Sequence, residues 1–378
     1  MSEDTSRTRK KKKLKIAYIA SSLEVSGRTG QLCTLACDLA SQGNRVSVIC
    51  MGGDGPAGET LRDADISVKV LDYKPTSLGA VSRVCNALEG AAVNVAHSFL
   101  PGMDYFVCKG ARKAEARVVI ASRREIRTGR MFFQRLTKRV ADHITANSKA
   151  ARDYACRREG HRQLDTTVVY NSVDTKLFSP GAISTGLMQK LDLPSNDKIV
   201  LVPATLESTK GHDILIRAAE RVVEEVPDAV FLLAGEGLER NNIESMIASA
   251  GLEGKARLLG FRDDMPDLYR AARLSVVTSH SEAFPNTLLE SMACGTPVIG
   301  TRVGGISEVV RDRKDGYVVL PSEPQSLADS ICQILLSDRT RESMSENACS
   351  RAVEAFSIRK MVDSYEELYR ELIARSKE

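Results

Sequence analysis

Residues 279–299 read SHSEAFPNTLLESMACGTPVI. The apolar run Leu274–Thr278 precedes them, and its length and β-branched composition predict a buried strand. Pro285 favours the first turn of a short helix, and Gly295 predicts the end of that helix. The stretch therefore predicts a strand, a polar loop and a helix in succession, which is the repeating unit of a parallel α/β sheet.

A helix that begins at the carboxyl end of a sheet strand directs free backbone N–H groups into the crevice beside the sheet. Here those groups belong to Asn286 and Thr287, so the stretch predicts an anion site. Glu290 lies about one and a half turns further along and can accept hydrogen bonds from sugar hydroxyls. Glu282, in the preceding loop, completes an arrangement that suits a diphosphate joined to two sugars.

The bulk composition excludes several classes of protein. A chain of 378 residues suits two domains, and 43% hydrophobic residues favour a globular fold. A net charge of +4, no tryptophan and 5% aromatic residues argue against nucleic-acid binding. The nine cysteines show no metal-binding or redox spacing, so reduced thiols and a cytoplasmic protein are expected. No run approaches the roughly 20 apolar residues of a membrane span.

Short apolar runs alternate with amphipathic stretches along most of the chain. This pattern predicts two α/β halves, each a doubly wound, Rossmann-like parallel sheet. The predicted strands are 15–20, 45–50, 68–71, 93–97, 118–121, 143–146 and 167–170, then 199–204, 230–234, 257–259, 274–278 and 297–301. Helical spacing occurs at 32–42, 80–89, 131–140 and 340–375. The expected division is a basic disordered tail (1–13), an N-terminal Rossmann-like domain (14–180), a C-terminal Rossmann-like domain (195–355) and a C-terminal helix (356–378) that packs back on the N-terminal domain.

Three further motifs lie at predicted strand-to-helix junctions. Lys210 can place its ammonium on a phosphate, although a solvated lysine beside a turn is the plainer interpretation. Gly235, in a Gly-x-Gly sequence, and the pair Gly304-Gly305 each fit a tight turn equally well. None of the three is specific alone.

Together with Glu282 and Glu290, these motifs closely resemble the retaining family-4 glycosyltransferases of the GT-B fold. The resemblance covers about residues 14–370 and is stronger in the second half. It implies that Lys210 grips the nucleotide diphosphate, that Glu290 holds the ribose and that Glu282 contacts the donor sugar. It also implies nucleotide-binding roles for Gly27, Gly235, Asn286, Thr287, Gly304 and Gly305. By the same resemblance, the N-terminal domain (14–180) would bind the acceptor and the C-terminal domain (195–355) the nucleotide sugar. The family's phosphate-binding arginine is Thr205 here.

The N-terminal half departs further from the family pattern. The family's Gly-Gly loop after the first strand is Ser26-Gly27 in this chain. His97 matches a position that the resemblance places near the ligand, although a lone histidine is more often structural. Where the family carries a histidine near the reacting sugar, this chain has Ser122-Arg123-Arg124-Glu125, which makes Arg123 a catalytic candidate by position.

The resemblance implies a metal-independent transferase that uses a UDP- or GDP-sugar donor, needs no cofactor and modifies a glycan or lipid-linked acceptor in cell-surface polysaccharide or glycoconjugate synthesis. Three alternatives stay open: a nucleotide-sugar 2-epimerase, a degenerate non-catalytic partner subunit and a membrane-surface adaptor. Asp63-Ala64-Asp65 matches the metal motif of a different glycosyltransferase fold, and we interpret it as a coincidence.

Residues 112–139 hold ten Lys or Arg against two Glu, with Phe132 and Phe133 among them. This segment fits either a surface helix with its apolar face in the core or a face that rests on anionic lipid, so that the cytoplasmic protein would lie on the inner face of the membrane.

Overall fold

The computed structural model describes residues 12–73, 78–100, 104–126, 132–184, 186–194 and 197–376. Residues 1–11 of the predicted basic tail lie outside these ranges. So do residues 127–131 of the basic segment.

Within the described ranges, the first half of the chain forms one sheet of seven parallel strands in the order β3-β2-β1-β4-β5-β6-β7. The strands are β1 (Lys15–Ala20), β2 (Arg45–Cys50), β3 (Ser67–Val70), β4 (Val95–Ser98), β5 (Val118–Arg123), β6 (His143–Ala146) and β7 (Thr166–Val168). The helices are α1 (Gly27–Ser41), α2 (Pro56–Asp63), α3 (Leu78–Leu88), α4 (Asp104–Lys113), α5 (Phe132–Thr137) and α6 (Lys149–Tyr154). Helices cover both faces of the sheet, so its central strands are continuously apolar rather than alternating.

The described part of the second half forms a sheet of six parallel strands in the order β10-β9-β8-β11-β12-β13. The strands are β8 (Lys198–Pro203), β9 (Ala229–Ala234), β10 (Ala256–Gly260), β11 (Leu274–Val277), β12 (Val298–Thr301) and β13 (Gly316–Val319). The helices are α7 (Leu187–Lys190), α8 (His212–Glu225), α9 (Arg240–Ser249), α10 (Met265–Ala271), α11 (Asn286–Ala293), α12 (Ile306–Val309) and α13 (Pro324–Leu335). Sequence analysis does not predict β13, a four-residue edge strand.

Both sheets reverse their strand order at one place, between β1 and β4 in the first and between β8 and β11 in the second. In a doubly wound sheet this reversal opens a crevice at the carboxyl ends of the strands, because the flanking connections run to opposite faces. The architecture confirms the predicted pair of doubly wound α/β domains. Ligands of doubly wound sheets bind beside the loops that follow the strands at such a reversal, which here are β1, β4, β8 and β11.

The C-terminal segment is helical as predicted but is broken once. Helix α14 (Asp338–Phe356) ends at Ser357, whose extended backbone bridges Val173, and α15 (Ile358–Arg375) then begins. The apolar face of α15 packs into the core of the N-terminal sheet rather than that of the domain it leaves. The hydroxyl of Tyr369 on α15 also lies 3.2 Å from that of Tyr18 on β1. Among the described residues, no helix is both long enough and apolar enough to cross a bilayer.

Candidate active site

A cleft of about 480 Å³ lies between the two domains at the carboxyl ends of their strands. The segments that line it come from both domains and follow β1, β5, β6 and β7 in the first and β8 and β11 in the second. The lining residues are Ser26–Arg28, Arg124, Glu125, Asn147, Asn171, Pro203–Thr205, Glu207, Lys210, Val277, Ser279, Glu282 and Phe284–Thr287. Residues far apart in sequence therefore meet where both sheets reverse their strand order.

Two helices begin at this cleft from opposite domains. Helix α11 starts at Asn286 after Pro285, and no side chain caps its free N–H groups. Helix α1 starts at Gly27, and its cap Ser26 accepts a hydrogen bond from the Thr29 N–H. The Asn286 side-chain amide donates to the Gly27 carbonyl oxygen at 3.2 Å. Both helix dipoles present their positive ends to the same space, which suits a diphosphate.

Lys210 and Glu282 form an ion pair in the cleft, with 2.6 Å between Nζ and Oε2. Their side chains are 23% and 18% exposed, so both still reach solvent in the cleft. The Thr278 hydroxyl donates to the Lys210 carbonyl at 2.9 Å, which fixes the lysine turn against the end of β11. The structure thus joins two side chains for which the sequence predicts separate roles on the diphosphate and on the donor sugar.

Glu290 lies on α11 about one turn after Asn286, the first residue of the helix, and is half-buried. The Tyr269 hydroxyl donates to its Oε2 at 2.9 Å. Burial raises the pKa of the Glu290 carboxyl above its ordinary value, and the hydrogen bond from Tyr269 opposes that rise. An ionised carboxylate held here costs folding free energy. Glu290 is not among the residues that line the described part of the cleft.

We therefore expect Glu290→Gln to weaken nucleotide binding without lowering the stability of the fold at neutral pH. An amide keeps the acceptor for Tyr269 but is a weaker acceptor for ribose hydroxyls, so affinity for UDP or GDP should fall about 10-fold in calorimetric titration. Since the pKa of Glu290 is raised in the folded state, its carboxyl lowers the free energy of unfolding as the pH rises from the unfolded-state pKa to the raised folded-state pKa. The free energy of unfolding of the variant should therefore equal or exceed that of the parent at about pH 7.5 and lose the gain near pH 4. Equal nucleotide affinity in both proteins would make Glu290 structural.

Gly235, Gly304 and Gly305, which the sequence predicts to contact the nucleotide, are not among the residues that line the described part of the cleft, whereas Gly27 is. Gly304 has a φ of +50°, and a Cβ there would lie 1.5 Å from the Glu282 carbonyl oxygen. The adjacent Gly305 N–H donates to that oxygen at 3.3 Å. Gly235 similarly passes under the loop after β8, where a Cβ would lie 2.0 Å from the Ala204 carbonyl oxygen. These glycines permit close backbone approach behind the lining residues.

The structure does not bring His97 or Arg123 to the cleft, which corrects their assignment as catalytic candidates. His97 is fully buried, and its ring nitrogens lie 2.7 Å from the Tyr369 hydroxyl and 2.9 Å from that of Ser122. Burial holds the pKa of His97 well below its ordinary value, so the ring is neutral. Arg123 is 4% exposed and pairs with Asp104 and Glu159, each at 2.6 Å. Both side chains stabilise the N-terminal core.

Arg124, the next residue along, is a lining residue that sequence analysis missed. Successive side chains point to opposite sides of an extended segment, so Arg124 faces the cleft while Arg123 faces the core. Only the alternation of side chains along β5 could have shown which of the two arginines faces the cleft. Because β5 is buried on both faces, its sequence shows no alternation of polar and apolar residues. Asn171 contacts both Arg124 and Asn286. Its segment Asn171-Ser172-Val173-Asp174 resembles the family's Asn-Gly-Val-Asp, but the sequence alone gave it no role in the site.

Asp63 and Asp65 lie apart from the cleft. They flank a surface groove with Lys13 and Cys37, beside the start of β2. In the described ranges, no cluster of three or more His, Cys, Asp or Glu side chains has a metal-binding arrangement.

Two family models account for most of the chain. The model described as Glycosyltransferase Family 4 matches residues 29–177, and the model described as Glycosyl transferases group 1 matches residues 185–351. The two matches together cover both domains, and the chain belongs to the family-4 glycosyltransferases of the GT-B fold.

Among curated proteins, the N-acetyl-alpha-D-glucosaminyl L-malate synthase of Bacillus anthracis is 31% identical over 213 residues, which cover 56% of this chain and 55% of that protein. The D-inositol 3-phosphate glycosyltransferase of Salinispora tropica is 32% identical over 250 residues, covering 62% of this chain and 52% of that protein. The chain thus matches about half the length of each of these relatives.

Solved structures extend the likeness over both domains. HepE of Anabaena, crystallised with UDP, superposes with a TM-score of 0.84 at 25% identity and covers 95% of this chain and 100% of its own. A glycosyltransferase of Rickettsia africae has a TM-score of 0.85 at 21% identity and covers 95% and 99%, which shows a shared fold.

Proposed function

We propose that this protein is a retaining glycosyltransferase that moves a sugar from a nucleotide-sugar donor to a glycan or lipid-linked acceptor. One observation carries the proposal: Lys210 and Glu282 pair inside an interdomain cleft onto which the starts of α1 and α11 converge. Such a site offers positive charge for a diphosphate and a carboxylate for sugar hydroxyls within one cavity.

The donor diphosphate accepts hydrogen bonds from the backbone N–H groups of Asn286 and Thr287 and from the ammonium of Lys210. A diphosphate competes with Glu282 for Lys210, so its binding frees the carboxylate to accept hydrogen bonds from the sugar. As the bond between the anomeric carbon and the diphosphate breaks, charge develops on the leaving oxygen. Each donor aimed at it in a dry cleft lowers the barrier by about 3 kcal/mol. The acceptor hydroxyl attacks from the face that the diphosphate leaves and passes its proton to the departing diphosphate oxygen, so the anomeric configuration is retained.

Donor turnover over a panel of UDP- and GDP-sugars tests this function. We expect release of one nucleoside diphosphate from its sugar, with UDP-sugars first in the panel because HepE binds UDP. The same assay in EDTA tests the expected metal independence. A panel without binding or turnover would favour the non-catalytic partner subunit, and recovery of a 2-epimer of the donor would favour the epimerase.

The acceptor is a lipid-linked glycan if the N-terminal domain rests on a membrane. On α5, Phe132 is 67% exposed and Phe133 41% exposed. Exposed cations on α4 and around α5 accompany them, namely Lys109, Arg112, Lys113, Arg135, Lys138 and Arg139. Exposed aromatic rings among cations on one domain favour an anionic lipid surface.

Vesicle co-sedimentation tests this surface. Each cation near an anionic bilayer contributes about 1 kcal/mol, so Arg135→Glu with Lys138→Glu should weaken binding to phosphatidylserine vesicles at least about 10-fold. Added salt should weaken the parent in the same way. The matched control reverses two exposed cations of the other domain, Arg313→Glu with Lys314→Glu, and should keep the binding. Binding that ignores both anionic lipid content and the α5 reversals would mean that this face is only solvated.

A further inference from the structure

Three cations and three carboxylates line the described part of the cleft, the carboxylates being Glu125, Glu207 and Glu282, but not every cation is paired with a carboxylate. The lining cations are Arg28, Arg124 and Lys210. Lys210 pairs with Glu282, and Arg28 pairs with Glu125. Within the described ranges, no carboxylate pairs with Arg124, which leaves its charge available to an anion.

The surroundings of Arg124 are polar but neutral. Its Nη2 donates to Asn171 Oδ1 at 2.5 Å, and the guanidinium lies over the Phe99 ring at 5.2 Å from its centre. The Tyr365 hydroxyl of α15 lies beside it. A half-buried guanidinium with only neutral partners pays a desolvation cost that a bound anion would offset.

Arg124 lies close to the start of α11. The same Asn171 that accepts from Arg124 donates from Nδ2 to Asn286 Oδ1 at 2.7 Å. One side chain thus separates the guanidinium from the first residue of the helix whose N–H groups face the cleft. On the opposite wall, the family's arginine position is occupied by the neutral Thr205.

We propose that Arg124 is the second cation of the diphosphate site and supplies from the N-terminal domain the charge that Thr205 does not supply from the C-terminal domain. This inference rests on the proposed function. Asn171, Tyr365 and the Phe99 ring position the guanidinium, whose forked N–H groups suit phosphate oxygens. The donor would then be held from both domains.

Calorimetric titration of the full chain with UDP, GDP and the nucleosides uridine and guanosine tests the assignment. Arg124→Gln should weaken binding of the preferred nucleoside diphosphate about 10- to 100-fold, because one charge-assisted contact is lost. Affinity for the matching nucleoside should stay within about 2-fold, since it carries no phosphate. Arg45→Gln, at an exposed arginine away from the cleft, removes the same net charge and should leave both affinities unchanged.

Rescue distinguishes a charge role from a packing role. Thr205→Arg placed in the Arg124→Gln protein returns a cation to the same cleft and should recover most of the lost diphosphate affinity. Equal loss of nucleoside and diphosphate affinity, no loss of either, or a selective loss that Thr205→Arg does not reduce would overturn the proposal. A parent protein that binds neither UDP nor GDP would instead overturn the proposed function itself.

Discussion

Lys210→Ala is expected to lower donor turnover at least about 100-fold, which corresponds to about 3 kcal/mol of lost transition-state stabilisation. Thr205 offers no charge from the same domain to replace the ammonium. The change also leaves the Glu282 carboxylate, now 2.6 Å from Lys210, without its partner and facing the diphosphate. Steady-state release of the nucleoside diphosphate from the natural donor measures the effect.

Lys198→Ala is the matched control for that variant. Lys198 begins the same strand that leads to the lysine turn, is 25% exposed and pairs with Asp228 at 3.3 Å, outside the cleft. Its loss removes a comparable ion pair, worth at most about 1 kcal/mol, and should leave turnover within about 2-fold. Unchanged turnover in Lys210→Ala would refute the role of this lysine on the diphosphate.

Gly304→Ala is expected to lower donor turnover nearly as much as Lys210→Ala, although Gly304 is not among the residues that line the described part of the cleft. The added methyl would lie 1.5 Å from the Glu282 carbonyl oxygen, so the loop that carries Glu282 must move. A displacement of about 1 Å at a catalytic group can cost about 100-fold in rate, and we expect a loss of that order. Turnover and the free energy of unfolding, from urea titration, should both be measured.

Gly254→Ala is the matched control, because it adds the same backbone strain without a clash against the Glu282 carbonyl oxygen. Gly254 also has a positive φ, of +80°, but a Cβ there would meet nothing within 4 Å. Both variants bear the left-handed backbone cost of about 1–2 kcal/mol, and only Gly304→Ala should lose turnover. Equal turnover in the two variants would show that the Glu282 loop tolerates the methyl group.

The sequence predicts more of the fold than of the site. The predicted strands Lys15–Ala20 and Arg45–Cys50 match the observed strands residue for residue, because most of their side chains are apolar and buried in the sheet. The strand β13 was not predicted, because it has only four residues. The predicted long helix is interrupted at Ser357, a polar residue with no Gly or Pro nearby. Its extended backbone is set by the bridge to Val173, a contact between distant parts of the chain.

The strand-loop-helix frame around Glu282 and Asn286 follows from local sequence, since the order of strand, Pro285 and Gly295 defines where α11 begins. Which side chains enter the cleft depends instead on how distant segments pack. Arg123 and Arg124 are chemically identical neighbours, yet one lies in the core with Asp104 and the other lines the cleft. That choice depends on strand direction and on the packing of α15 across the first sheet, which are contacts made between residues distant in sequence.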